Sequence, residues 1–285
     1  VRVGNQLVGY QGTVCDITQE IEDKARIEHI SHHDSLTGLA NRRLLIHYLN
    51  DHLSEESNID CPLFLLALDL DRFKPINDTF GHAAGDLVLR QVADAITRCT
   101  RESDLVARLG GDEFIVVTTG CRTYEQVEHL CQRLIEQIKA PIQIDGNDVN
   151  VGTSIGIAAA PHHGLNAMDV LRFADIALYE AKASGRNLYR FYEPAMNQRI
   201  LERRQLEMDM RLALHRHEFR LDFQPRYCMS LQTIIGAEAL VRWQHPARGL
   251  LNPDDFIPLA EETGLIVELS NWVLREACLN ALSWN

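Results

Sequence analysis

The chain has 285 residues, 46% of them apolar, and a formal net charge of -12. That is length for about two domains with ample material for a core, and the acidic balance argues against a general nucleic-acid binder, so a phosphate ligand must be met by local cations or a metal. No apolar run approaches the ~20 residues of a membrane span and no signal peptide is visible, which makes a cytoplasmic protein without a membrane segment the expectation. Seven cysteines, odd in number, irregularly spaced and without a Cys-x-x-Cys pair, read as reduced and mostly buried thiols. His32-His33 and His162-His163 lack the spaced partners of a zinc site and are read as structural.

Residues 1–15 suggest a strand or hairpin, with Gly9-Tyr10-Gln11-Gly12 before Thr13-Val14-Cys15. Followed by Asp16-Ile17-Thr18, this resembles the last strand and exit of a PAS sensor domain, so residues 1–18 are expected to be the remnant of one. So short a piece cannot form a core, and no ligand is inferred from it. Because the chain begins at Val1 and not at Met, it is expected to be a fragment whose parent could carry sensors or a membrane tether upstream. Asp16 with Gln19 three residues later fits a helix N-cap. A charged helix follows to about Ser31, with sparse apolar positions at Ile17, Ile21, Ile27 and Ile30. It reads equally as a solvated linker (residues 19–33) or as a stalk that pairs with its twin.

The next segment alternates regularly. A helix is expected around residues 41–53, a buried strand from Pro62 to Leu68, and a polar, glycine-containing stretch from Pro75 to Asp86. A helix from Leu87 follows, with Val88, Val92, Ile96 and Cys99 on one face. Two strands, Leu105 to Leu109 and Phe114 to Val117, flank Gly110-Gly111-Asp112-Glu113, where two glycines can take positive φ and present adjacent carboxylates at a hairpin tip. After a helix carrying Val127, Leu130, Cys131, Leu134, Ile135 and Ile138 come a strand from Val149 to Ala158, a helix through Leu171, Ala174, Leu178 and Ala181, and a strand near residues 188–192. Helices on a mostly antiparallel sheet make an α/β (α+β) layered domain with a βαββαβ core.

Asp34-Ser35-Leu36-Thr37-Gly38-Leu39-Ala40-Asn41-Arg42, Asp69-Leu70-Asp71-Arg72-Phe73-Lys74, Asn77-Asp78-Thr79-Phe80-Gly81-His82 and Gly110-Gly111-Asp112-Glu113-Phe114 stand in one register. Together they resemble the GGDEF family of diguanylate cyclases, over residues 34 to 192. The resemblance implies the fold of nucleotidyl cyclases and polymerase palms, for a domain of residues 34–193. It also implies the condensation of two GTP into cyclic di-GMP, in a homodimer because each domain holds one GTP. Two divalent cations, Mg²⁺ or Mn²⁺, suit such a displacement, and Mg²⁺ prefers a few oxygen ligands plus substrate phosphates. Asp69, the Leu70 carbonyl, Asp112 and Glu113 fit that set. By the resemblance, Asp112 accepts the proton of the 3′-hydroxyl and Glu113 supports the metal. Backbone amides at Arg72 and Phe73 would form an anion nest beside Gly110 and Gly111. Lys182 and Arg186, at i and i+4 near a helix end, would supply cations.

Guanine's Watson-Crick edge offers two donors that one carboxylate can accept, and the family pattern assigns this to Asp86, with Asn77 and His82 beside it. Arg101 and Asp104, the latter five residues short of the Gly110-Gly111 tip, resemble the family's inhibitory product site, which implies feedback inhibition by cyclic di-GMP.

From Glu193 the pattern changes. Residues 194–204 read as a linker within a charged helix from about Met196 to Arg216, and Phe219 to Pro225 alternates as a strand. Gly236-Ala237-Glu238-Ala239-Leu240-Val241-Arg242-Trp243, His245-Pro246 and Phe256-Ile257-Pro258 resemble the start of an EAL phosphodiesterase domain. That resemblance makes Glu238 a metal ligand and puts Gln224 and Arg242 on the substrate. Residues 205–285 are about a third of the ~250 a barrel of this kind needs, so phosphodiesterase activity is not expected of them alone. Three functions are compatible with the sequence: a cyclase, a GTP or cyclic di-GMP receptor module, and a bifunctional cyclase and phosphodiesterase in a longer parent.

Overall fold

The computed structural model describes residues 2–3, 6–7, 31–53, 62–144 and 146–284. The N-terminal residues among these form a short antiparallel ribbon, β1 (Arg2–Val3) with β2 (Gln6–Leu7), in which Arg2 pairs with Leu7. The rest of the PAS-like reading and nearly all of the linker helix lie outside the described residues.

The chain divides into two compact units, Val1–Met196 and Asn197–Asn285. In the first, the central strand β3 (Leu63–Asp71) has neighbours on both sides. The order across the sheet is β4 (Leu105–Gly110), β5 (Glu113–Thr118), β3, β8 (Gly152–Ala160), β9 (Tyr189–Phe191), antiparallel except for β8 with β9. Side chains alternate between faces along a strand, and here both faces are covered. Phe64, Leu66, Leu68 and Leu70 enter one core with Val88, Val92 and Ile96 of α3 (His82–Cys99) and Val127, Cys131 and Leu134 of α4 (Tyr124–Ile138). Leu63, Leu65 and Ala67 enter the other with Leu45 and Leu49 of α1 (Arg42–Leu53) and Val170 and Ala174 of α5 (Ala167–Ala183). Burial on two faces explains why β3 is an almost unbroken apolar run.

Three local features differ from expectation. The stretch before Leu87 is not a loop: α2 (Phe73–Phe80) and α3 meet at Gly81, φ 82°, and α3 begins five residues early. Pro75 is tolerated because it sits in the first turn of α2, where an amide hydrogen has no intrahelical partner, and Phe73 and Ile76 anchor that turn in the core. A small hairpin, β6 (Ile142–Ile144) with β7 (Asn147–Val149), precedes β8, which starts at Gly152 and not at Val149. Arg186 does not lie on the helix of Lys182: α5 stops at Ala183, Gly185 has φ 116° and Arg186 itself φ 62°.

The second unit opens on α6 (Ala195–Arg216), whose first two residues belong to the first unit and which continues through the stretch read as a linker. A three-stranded sheet follows, with β10 (Phe219–Cys228), β11 (Thr233–His245) and β12 (Gly249–Leu251) all antiparallel, then α7 (Pro253–Thr263) and α8 (Ile266–Ala281). Its core gathers Met210, Phe219, Trp243, Phe256 and Leu269. The first two strands pair antiparallel, unlike the all-parallel strands of a regular (β/α)₈ barrel. There is no closed barrel among the described residues.

Candidate active site

The alternation along β3 sets the site. Asp69 and Asp71 extend the row of Leu63, Leu65 and Ala67 beyond the cover of the second core, so their carboxylates emerge on the α1/α5 side. Glu113 is the cross-strand partner of Asp69 and therefore lies on the same face of the sheet. The hairpin tip is fastened to the end of β3 by a bond from the Leu70 amide to the Asp112 carbonyl, 3.3 Å. The Leu70 side chain is buried and carries no donor atom, so a ligand from this residue could only be its main-chain carbonyl. Gly110 and Gly111 have φ of 143° and 53°, the second in the left-handed region that favours glycine.

Charge crowds here. Burial raises the Asp69 pKa above the ordinary carboxylate range; Lys182 opposes the shift, and the charges of Asp112 and Asp71 add to it. Lys182 Nζ lies 2.7 Å from Asp69 Oδ2, with the two side chains 34% and 14% exposed. Three neighbouring carboxylates of which one is partly desolvated make a hard-oxygen donor set that calls for positive charge. Among the described residues no three or more His, Cys, Asp or Glu side chains converge as a group that could hold a metal ion. One or two carboxylates with open positions suit Mg²⁺ or Mn²⁺, which complete their coordination with water and phosphate.

The surrounding residues are held by contacts that the sequence did not announce. Asp71 accepts bonds from Ser154 Oγ (2.8 Å) and the Asn187 amide (2.9 Å), which fixes the turn after α5 and so keeps Arg186 at this end of the sheet. Arg108, buried in β4, donates from Nε and Nη2 to the Gly111 carbonyl (3.1 and 2.7 Å) and from Nη1 to Asp34 Oδ1 (2.9 Å). Asp34 also accepts from the Thr37 amide and hydroxyl. Burial alone would raise the Asp34 pKa, but the bonds from Thr37 and Arg108 outweigh it and hold the carboxyl below its usual range. Asp175, exposed on α5 two turns before Lys182, feels the same charges: partial desolvation and the charge of Glu113 raise its pKa, opposed by Arg42 and Lys182.

Arg72, left-handed at φ 59°, caps the N-terminus of α2 without a side-chain bond, so the Phe73 end of that helix presents uncapped amides. A Cβ on Gly85 would stand 1.9 Å from Asn77 Oδ1. The absence of that atom lets Asn77, from the last turn of α2, lie against α3 next to Asp86. His82 begins α3 and is exposed. Arg101 and Asp104 are joined: the Arg101 amide donates to Asp104 Oδ2 (2.9 Å), and Arg101 Nη1 donates to the Gly120 carbonyl (2.9 Å). They line a cleft of about 210 Å³ with His129 and Arg133, where Asp104 Oδ1 is buried without a hydrogen-bond partner. Arg133 escaped the sequence reading because it lies on α4, about thirty residues away.

The family model for the GGDEF domain of diguanylate cyclases matches residues 31–188, more than half of the chain. The chain belongs to the GGDEF diguanylate cyclase family. A second model, the EAL domain, matches residues 207–285. The GGDEF domain of TpbB from Pseudomonas aeruginosa is 42% identical, with a TM-score of 0.57 over 60% of this chain and 99% of that one. The coiled coil and GGDEF domain of Caulobacter crescentus DgcB, solved with c-di-GMP, is 28% identical, with a TM-score of 0.56 over 61% and 93%. The bifunctional diguanylate cyclase and cyclic di-GMP phosphodiesterase MucR of Pseudomonas aeruginosa is 42% identical over 88% of this chain and 37% of MucR. The chain spans roughly a third of the length of the curated relatives it matches first. It thus joins a cyclic di-GMP signalling family through both of its units.

In the EAL-like unit, Gln224 and Glu238 are cross-strand partners, and Arg242 follows Glu238 by four residues on the same face of the sheet. Arg242 Nε lies 3.4 Å from Asp222 Oδ2. The structure therefore brings Gln224, Glu238 and Arg242 together on one face, with Trp243 and Val241 turned to the core on the other.

No described helix is long and apolar enough to cross a membrane. His163 Nδ1 accepts the Ala159 amide at 3.0 Å, which gives that histidine a structural partner. Cys99, Cys121 and Cys131 are buried free thiols, while Cys278 is exposed.

Proposed function

We propose that the first unit condenses two GTP molecules into cyclic di-GMP and pyrophosphate. The observation that carries this reading is the pairing of Asp69 with Glu113 on one face of the sheet, with Asp112 and Lys182 in electrostatic reach of Asp69. In each half-reaction a 3′-hydroxyl oxygen attacks an α-phosphorus, the bond from that phosphorus to the bridging oxygen breaks, and pyrophosphate leaves with the electron pair. Asp112 takes the hydroxyl proton. Asp69, the Leu70 carbonyl, Asp112 and Glu113 would hold Mg²⁺ or Mn²⁺, which when bound supplies charge for the phosphates and the leaving group. Uncapped amides at Phe73, the turn at Gly110-Gly111, and the cations of Lys182 and Arg186 receive phosphate oxygens.

Asp86, with Asn77 pressed beside it and His82 near the mouth, reads guanine. A polar site left unpaired by the wrong base discriminates by about 10⁴. Arg101 and Asp104, with Arg133 in the same cleft, bind the product and restrain the enzyme. Because one unit holds one GTP, the working form is a homodimer. Gln224, Glu238 and Arg242 support a second reading for the longer parent, in which an EAL domain with Glu238 as a metal ligand hydrolyses the same messenger.

Incubation with GTP and Mg²⁺ and chromatographic detection of cyclic di-GMP tests the proposal. Product from the native chain, reduced at least a hundredfold in Asp69→Asn, supports it. GTP binding without product at any protein concentration would leave a receptor module in its place.

A further inference from the structure

Asp69 and Asp71 stand two residues apart on one face of β3, yet their carboxylates are engaged differently. Both oxygens of Asp71 already accept hydrogen bonds. Oδ1 takes the Ser154 hydroxyl at 2.8 Å and Oδ2 takes the Asn187 amide at 2.9 Å, with the same hydroxyl 3.1 Å from Oδ2. Ser154 is fully buried and stands opposite Asp69 on β8, so the Asp71 carboxylate is anchored in the sheet.

The chain that Asp71 holds needs holding. Beyond the end of α5 it turns through Gly185, Arg186 and Asn187, with φ of 116°, 62° and 51°. Two consecutive residues with side chains in the left-handed region are disfavoured by contact between Cβ and the backbone, less so for asparagine than for arginine. The Arg186 amide donates back to the Ala181 carbonyl (3.2 Å), and the Leu188 carbonyl accepts the Ile155 amide (2.9 Å). Between these two ties Asp71 grips the peptide that joins Arg186 to Asn187. Gly152, the cross-strand partner of Asp71, leaves space for that grip. A Cβ there would stand 3.2 Å from Asn187 Oδ1 and 3.3 Å from Asp71 Oδ2. We infer that Asp71 is a positioning residue for the triphosphate of a bound nucleotide, engaged not by the metal but by the turn that keeps Arg186 at the Asp69 end of the sheet. The inference rests on the reading of Arg186 as a phosphate cation and does not require turnover.

The test is calorimetric titration of the full chain with 3′-deoxy-GTP and Mg²⁺; this nucleotide lacks the attacking hydroxyl, so binding is read without condensation. Asp71→Ala and Arg186→Ala are each expected to raise Kd about tenfold, and the double variant about tenfold as well, because either change removes what the other supplies. Asp71→Asn still offers an oxygen to the Asn187 amide and an amide hydrogen to the Ser154 hydroxyl, so its Kd should stay within about threefold of native; loss of a metal-binding carboxylate would not be rescued in this way. In the nucleotide-free protein, hydrogen exchange at the Asn187 amide should quicken about tenfold in Asp71→Ala and stay near native in Asp71→Asn. If Asp71→Ala does not fold, Gly152→Ala crowds the same bond with both partners in place, and it should weaken binding about threefold only while Arg186 is present. Multiplying losses in the double variants, equal losses in Asp71→Asn and Asp71→Ala, or unchanged exchange would each overturn the inference. A native chain that binds 3′-deoxy-GTP yet makes no cyclic di-GMP from GTP overturns the cyclase reading alone, and one that binds none overturns both.

Discussion

Replacing Arg108 with Met keeps the length of the side chain and removes its charge and three hydrogen bonds. Arg108 and Asp34 are only 9% and 19% exposed, so Asp34 would be left as a poorly hydrated anion. Breaking a buried pair in this way costs about 3–5 kcal/mol. Asp34 keeps both bonds from Thr37, which brings the expected loss to about 2–3 kcal/mol, or roughly 1 M in the urea midpoint of the first unit at an m-value of about 2 kcal/mol/M. All three tryptophans, Trp243, Trp272 and Trp284, lie in the second unit. Their fluorescence therefore follows the second unit alone, and far-UV circular dichroism, which sums both units, reports the first by difference. The depressed Asp34 pKa adds a pH signature. Its stabilisation is complete above the ordinary carboxylate pKa and is lost as pH falls through the lower folded value. Native protein should lose stability on acidification below about pH 5 more steeply than Arg108→Met. Asp34→Asn should cost less in the Arg108→Met background than alone, by at least about 1 kcal/mol. Additive costs and parallel acid limbs would refute the account of Arg108 as a tie between the hairpin tip and the Asp34 turn.

Asp86→Ala is expected to lower GTP turnover at least a hundredfold and to narrow the preference for GTP over ATP; native turnover in that variant, measured with both nucleotides, rejects Asp86 as the base reader. Arg101→Ala should relieve product inhibition, raising the cyclic di-GMP concentration for half inhibition more than tenfold, read from progress curves with added product. Gly156→Ala would place a Cβ 2.1 Å from backbone atoms of Ala174 and Leu178, so α5 must leave the sheet. A loss of more than about 3 kcal/mol, or failure to fold, is expected, while a cost below about 1 kcal/mol would show that the helix can shift freely.

Much of this architecture could be read from residue order. The apolar run at β3 and the Gly110-Gly111 tip announce their strands because burial and positive φ restrict which residues can stand there. The layout of Asp69 and Glu113 follows from period-two alternation once the two strands are paired. α2 was missed because Pro75, Asn77, Asp78 and Thr79 are poor helix formers, and only the core positions of Phe73 and Ile76 favour the helix. The placement of Arg186 on α5 ignored Ser184-Gly185, a stop signal that the backbone obeys. Arg108, Asp71, Asp175 and Arg133 owe their places to contacts far apart in sequence, for which spacing along the chain carries no signal.

The strand order has a consequence for how the site breathes. Asp69 rides on the innermost strand, clasped on both edges, and its amides should exchange with solvent only when the whole unit opens. The acidic tip joins β5 to β4, which has no full strand beyond it, and it is held by discrete ties: the Leu70–Asp112 bond, the Arg108 bonds to Gly111 and Asp34, and the bridge from Ala40 to Ala107. One half of the proposed centre is thus bedrock and the other is moored by a few named bonds, so the grip on a nucleotide would be adjusted by slackening those moorings.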